Sequence, residues 1–256
     1  MKPNVSVVMP VFNSAATLSD AALSVLSQTY KNFELIIVDD GSEDSTRHLL
    51  RDIADMDGRV RVHRNQTNQG ISFSRNLGVN IALGEWVAFI DSDDMWKPDK
   101  LEKQLMFIDE HQAVFSYTAS TFMNKNGVSY GYVMPAEFKT NYDLLLKSNL
   151  ISCSSVIAKR EILARHPMPD DRMHEDYAAW LSVLREVGHA YGLDEPLLIY
   201  RIASGSKSSG RLRSARMIFN TYIHAGYKSP VSLLLTIRYA AYSIKKRRKI
   251  IASGIS

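Results

Sequence analysis

The chain has 256 residues, 45% hydrophobic and 23% charged, an ordinary globular composition that excludes a fibrous or disordered polymer. Its net charge of +4 hides two unlike parts: residues 201–256 carry 12 Lys and Arg and no Asp or Glu, leaving 19 basic against 27 acidic side chains in residues 1–200. An acidic body with a basic end excludes a uniformly nucleic-acid-coating protein and points to a tail that meets something anionic.

In chain order, Val5–Met9, Glu34–Val38, Val60–Arg64 and Trp86–Asp91 are short apolar or alternating runs that predict strands. Thr17–Gln28, Thr46–Ile53 and Phe73–Ala82 lie between them with helical spacing, and another amphipathic helix follows Lys97-Pro98. Strands alternating with helices of this length predict a parallel sheet covered on both faces. Further on, Val114–Ser120 and Val128–Val133 read as strands joined by the turn Asn124-Lys125-Asn126-Gly127, with Ser154–Ala158 and Leu197–Tyr200 as later strands. Asp143–Lys147, Arg160–His166 and Asp176–Val187 read as helices. Two helical patterns, Arg211–Ala225 and Pro230–Arg248, follow a small polar loop at Ser204–Gly210. The predicted division is one α/β domain over residues 1–203, then a flexible loop and basic helical extension over 204–256.

Cys153 is the single cysteine, which excludes an internal disulfide and a multi-cysteine zinc site and suits a reducing compartment. Lys2-Pro3-Asn4 leads straight into a strand-like run with no secretory signature. The longest apolar candidate for a span, Val231–Ile244, is interrupted by Arg238. These features predict a cytoplasmic protein, soluble or peripheral to a membrane.

Three acidic clusters fall where a mostly parallel sheet presents the loops at its carboxyl edge, the usual ligand edge of such sheets. They are Asp39-Asp40-Gly41-Ser42, Asp91-Ser92-Asp93-Asp94 and Glu175-Asp176. The first also suits a capped turn, and the third suits acids complementing a helix dipole. Three carboxylates within Asp91–Asp94 repel one another, and a divalent cation bound to a phosphate would satisfy them. No Gly-x-Gly-x-x-Gly follows the first strand, which disfavours a dinucleotide-binding dehydrogenase.

In this order the segments resemble the family 2 glycosyltransferases of GT-A fold: Val5–Asn13, Ser27–Tyr30, Phe33–Ser42, Asn68–Gly70, Arg75-Asn76, Gly84-Glu85, Asp91–Asp94 and Glu175–Tyr177. The resemblance is dense over residues 4–105, sparser to about residue 200 and weak in the tail. It implies a Rossmann-like, mixed and mostly parallel sheet flanked by helices, with the basic helical extension added. It also implies a nucleotide pocket lined by Pro10 and Phe12, with Asp40 accepting from the uracil N–H, Asp39 beside it, and Arg75 approaching base or phosphates. Pairing with a nearby carboxylate is the alternative for Arg75. Asp93 would contact ribose or metal, Asp94 would hold Mn²⁺ or Mg²⁺ at the diphosphate, and Asp91 would order the loop.

By the same resemblance Asp176 is the general base for an inverting displacement, and Glu175 orients it or the acceptor. Trp180, one turn on, offers a sugar-binding face or packs the core. The family's metal-binding histidine after Tyr-Arg is absent here, where Ile202-Ala203-Ser204 follow Tyr200-Arg201. Ser206, Lys207, Ser208 and Arg211 would then close over the diphosphate.

The expected activity is transfer from a UDP-hexose, such as UDP-Glc or UDP-Gal, to a hydroxyl of a polyprenyl-diphosphate-linked saccharide in bacterial O-antigen or exopolysaccharide synthesis. A polyprenyl-phosphate sugar synthase and a non-catalytic nucleotide-binding membrane protein are the alternatives. In the tail, Leu233, Leu234, Ile237, Ala240, Ala241 and Ile244 recur at helical spacing before Lys245–Lys249, which suits an anionic membrane surface at the inner face of the cytoplasmic membrane or a stripe packed on the body. No nucleic-acid recognition fold accompanies the basic run.

Overall fold

The computed structural model describes residues 2–202 and 210–253. The front half alternates as the sequence predicts, apart from the unanticipated two-residue β5: β1 (Val5–Val11), α1 (Leu18–Leu26), β2 (Phe33–Asp39), α2 (Thr46–Met56), β3 (Val60–Arg64), α3 (Ile71–Ile81), β4 (Trp86–Phe89), β5 (Met95–Trp96) and α4 (Lys100–Glu110). The rest comprises β6 (Phe115–Asn124), β7 (Ser129–Met134), β8 (Lys139–Asn141), α5 (Tyr142–Lys147), a 3₁₀ turn at Cys153–Ser155, β9 (Ile157–Lys159), α6 (Arg160–Arg165), α7 (Glu175–Val187), β10 (His189–Ile202), α8 (Arg211–His224) and α9 (Ser229–Ser253).

The strands form one sheet in the order β3-β2-β1-β4-β9-β6-β10-β5, with β7 added on β6 and β8 on β10. Strands β3, β2, β1 and β4 run parallel, β9 is antiparallel to both neighbours, and β10 is parallel to β6. Alternation along β1 and β2 divides the core. Val7, Met9, Leu35 and Ile37 face α1 and α4, whereas Val8, Ile36 and Val38 face α3 and the later helices. Burial on both faces is why these strands read as continuous apolar runs.

Three further elements differ from the sequence expectation. Ser154–Ala158 is not one strand: Cys153–Ser155 turns as a 3₁₀ segment before β9. Strand β8 is a three-residue edge with a Lys-Thr-Asn sequence that carries no strand signal. Strand β10 begins at His189, eight residues ahead of the apolar run Leu197–Tyr200. Gly192 and Pro196 mask its first half, and irregular register around Pro196 accommodates the proline beside β6.

The tail helices pack on the body, though not as their apolar pattern suggests. Met217, Ile218, Tyr222 and Ala225 of α8 are buried. Helix α9 docks through Ser232, Leu235, Thr236 and Tyr239. Leu233, Leu234, Ile237, Ala240, Ala241 and Ile244, one of whose expected places was against the body, are all exposed.

Candidate active site

The register of β1, β2 and β3 aligns Val11 with Asp39 and Asp39 with Arg64, so their carboxyl ends form one ledge. Asp39 is 1% exposed, accepts from the Ser42 N–H at 2.9 Å, and faces Arg64 Nε at 3.7 Å. Asp40 accepts from Asn65 Nδ2 at 2.7 Å and from the backbone N–H groups of Gln69 and Gly70 at 2.9 and 2.8 Å. Gly41, directly after Asp40, turns the chain at φ +80°, a conformation that favours glycine. Thus Asp40 ties the segment leading into α3 to the end of β2. Pro10 is buried in β1, and Phe12 beyond it is 46% exposed, leaving an aromatic face open at the ledge.

The Asp91–Asp94 turn leaves β4 at the same edge. One carboxylate oxygen from each of Asp91, Asp93 and Asp94 lies within 4.8 Å of the others, the one such acidic group among the described residues. Asp94 accepts from the Arg201 N–H at 2.9 Å, while its Oδ2 is buried with no hydrogen-bond donor among the described residues. Burial, then the charges of Asp93 and Asp91, push the Asp94 carboxyl well above its ordinary range. Asp93 is pushed up to about 6 by burial and by Asp91. An orphaned buried oxygen among crowded carboxylates fits a hard divalent cation, which takes oxygen ligands and relieves the repulsion.

Arg201 was not anticipated as a site residue. Its side chain is buried in an otherwise acidic corner and donates through Nε to the Asp93 carbonyl at 2.9 Å. With its backbone N–H on Asp94, it holds the acidic turn from β10, over a hundred positions away in sequence. Ser154 is a second such residue, its Oγ accepting from the Asp91 N–H at 3.0 Å. No local pattern advertises either contact, because each partner lies on a different strand or turn.

Arg75 sits inside α3, within the predicted helix, and is 3% exposed. Its guanidinium donates to Asp91 at 2.5 Å and to Glu175 at 3.0 Å. The pairing alternative therefore describes Arg75 as it stands, bridging the end of β4 to the start of α7.

Asp176 is half-buried in the first turn of α7 and accepts from the Tyr177 N–H at 2.7 Å. Burial first, then the adjacent Glu175 charge, push its carboxyl up to about 7, and Arg75 opposes the shift. A carboxylate poised there at neutral pH is suited to proton abstraction. Trp180, also on α7, is fully buried against Phe115 and Phe89, with ring centroids at 5.0 and 6.0 Å. Its sugar-face role is corrected to core packing, because both ring faces lie in the interior. The loop ahead of α7 is tied to the start of α3 by Asp171, whose carboxylate accepts from the Ile71 and Ser72 N–H groups at 3.2 Å. Ser206, Lys207 and Ser208 lie outside the described residues, and Arg211 is the first residue of α8.

The model of glycosyl transferase family 2 matches residues 6–166. TuaG of Bacillus subtilis (strain 168), a glycosyltransferase named for teichuronic acid biosynthesis, is 39% identical over 86% of this chain and 88% of its own. WfgD of Escherichia coli, a UDP-Glc:α-D-GlcNAc-diphosphoundecaprenol β-1,3-glucosyltransferase, is 34% identical over 83% of this chain and 82% of its own. Among solved structures, S. aureus TarS 1–349 with UDP-GlcNAc superposes with a TM-score of 0.70 at 19% identity, over 91% of this chain and 70% of that one. That likeness shows the GT-A fold.

Proposed function

Because the chain belongs to the family 2 glycosyltransferases, we propose that it is an inverting, metal-dependent enzyme that transfers a hexose from a UDP-sugar to a hydroxyl of a polyprenyl-diphosphate-linked saccharide. The observation that carries this reading is the pairing of a base-like Asp176, its carboxyl up to about 7, with the cation-demanding turn Asp91–Asp94 at one sheet edge. WfgD supports the choice of UDP-glucose and a diphospholipid-linked acceptor by its own named reaction.

In this reading Phe12 stacks on the uracil, Pro10 backs it, and Asp40 accepts from the ring N–H, with Asp39 holding the turn. Asp93 and Asp94 would hold Mn²⁺ or Mg²⁺, which would offset the charge of the departing diphosphate. Asp176 takes the proton from the acceptor hydroxyl as that oxygen attacks the anomeric carbon from the face opposite UDP. The C–O bond to UDP breaks in the same displacement, so the configuration inverts. Glu175, fixed by Arg75, holds Asp176 or an acceptor hydroxyl in line, while Ser206, Lys207, Ser208 and Arg211 close on the diphosphate. The product belongs to a bacterial surface polysaccharide, and a lipid-linked acceptor places the enzyme peripherally at the inner face of the cytoplasmic membrane.

The test is transfer from UDP-Glc and UDP-Gal to GlcNAc-diphosphate-lipid with Mn²⁺, Mg²⁺ or EDTA. Transfer should require the metal, and Asp176→Asn should lower kcat by about 10²-fold or more while UDP still binds. A folded Asp176→Asn protein with wild-type transfer would overturn the assignment.

A further inference from the structure

Helix α9 runs Ser229–Ser253, and two of its faces have opposite fates. Ser232, Leu235, Thr236 and Tyr239 recur at three- and four-residue steps and meet the body. On the opposite side Leu234, Ile237, Ala241 and Ile244 recur with the same spacing, with Leu234 68%, Ile237 60% and Ile244 55% exposed. Arg238, Lys245 and Arg248 flank or end this stripe, are exposed, and join no ion pair among the described residues. No Asp or Glu occurs anywhere in residues 201–256 to neutralise them.

We propose that this outward face of α9 is a docking surface for an anionic lipid leaflet, with the apolar stripe entering the interface and the flanking cations meeting lipid phosphates. The inference rests on the lipid-linked acceptor of the preceding section and identifies the surface that meets its membrane. An exposed stripe of large aliphatic side chains is costly in water and marks an interaction face. Clustered cations beside it select an anionic partner. A second copy of the chain is a poor occupant, since a two-fold contact would bring these cations against their own copies. Spanning is excluded for this helix, because no helix among the described residues is long and apolar enough to cross a bilayer.

The inner face gives the docking a consequence. Tyr239 packs on Tyr177, with ring centroids 5.8 Å apart, and its hydroxyl feels the charge of Asp176. One helix therefore lies between the lipid surface and the residue that activates the acceptor. A saccharide on a lipid diphosphate would reach Asp176 beside the membrane plane.

The experiment is co-sedimentation of the full chain with phosphatidylglycerol/phosphatidylcholine vesicles and with phosphatidylcholine alone, at low and high salt. Wild type should bind the anionic vesicles and lose affinity with salt. Leu234→Asn/Ile237→Asn should weaken binding by about tenfold or more, from the apolar area withdrawn. Arg238→Gln/Lys245→Gln/Arg248→Gln should remove the preference for anionic lipid. The proposal is overturned if wild type ignores the vesicles, if the Leu234/Ile237 variant binds as wild type, or if sedimentation shows a dimer that this variant dissolves. UDP-Glc hydrolysis, measured in parallel without vesicles, should be equal in all these proteins; its absence throughout would count against the transferase reading and leave the vesicle result to judge the helix.

Discussion

Arg75 on α3 donates to Glu175 at the head of α7 at 3.0 Å, across a hundred positions of sequence, and its other terminal nitrogen holds Asp91. One buried cation thereby joins the acidic turn after β4 to the helix that carries Asp176. Replacing it by methionine would remove the cation that Glu175 and Asp91 share. Arg75→Met should cost about 3 kcal/mol, since breaking one side of a buried pair strands the other charge. Urea unfolding at pH 7 checks this.

Asp176 must be deprotonated to act as base, and its carboxyl is pushed up to about 7 from an ordinary 3.8. The acidic limb of kcat/KM should therefore lie near pH 7, with activity lost below it. The same shift has a stability counterpart. The folded protein keeps this proton to higher pH than the unfolded chain, so its contribution favours folding at low pH and is lost as pH rises from about 4 to 7. Asp176→Asn should flatten that part of the stability profile, measured by denaturant midpoints at pH 5 and 8.

Asp40 accepts three hydrogen bonds from the segment Asn65–Gly70. Asp40→Asn would turn an amide N–H₂ toward at least one of those donors, at a cost of about 1–3 kcal/mol. UDP affinity should fall as well if, as proposed, Asp40 accepts from the uracil N–H. Calorimetric titration with UDP separates the two effects, since a purely structural loss would leave affinity intact in the folded fraction.

Trp180 packs between Phe115 and Phe89. Trp180→Phe should lower stability by about 1–3 kcal/mol through the volume removed from the core, with the acceptor KM unchanged. An elevated KM with an unaltered melting temperature would restore the sugar-face role.

Much of the front half was legible from its periodicity. The runs Val5–Met9 and Glu34–Val38 are almost continuously apolar because both faces of their strands are covered, and Asp39-Asp40 and Asp91–Asp94 mark the carboxyl ends of β2 and β4. The later strands were less visible. Pairing with β6 recruits His189–Pro196 into β10 despite Gly192 and Pro196, and β8 exists because β10 offers it an edge. Arg201 and Ser154 carry no local signal of their roles, which arise only when β10 and the Cys153–Ser155 turn arrive beside β4. On α9 the most apolar residues were the obvious candidates for packing, yet smaller and more polar Ser232 and Thr236 take that place.

By itself the sequence determined the alternating α/β framework and the identity of the acidic groups at its carboxyl edge, because strand burial and strand termination are written in short-range apolar and polar order. Only the tertiary structure decided what those groups do to one another: that Arg75 joins Asp91 to Glu175, that Asp94 keeps an orphaned oxygen, and that α9 turns its aliphatic stripe outward. Those outcomes depend on burial and charge separation between residues distant in the chain, which are properties of the packed molecule and of no local window.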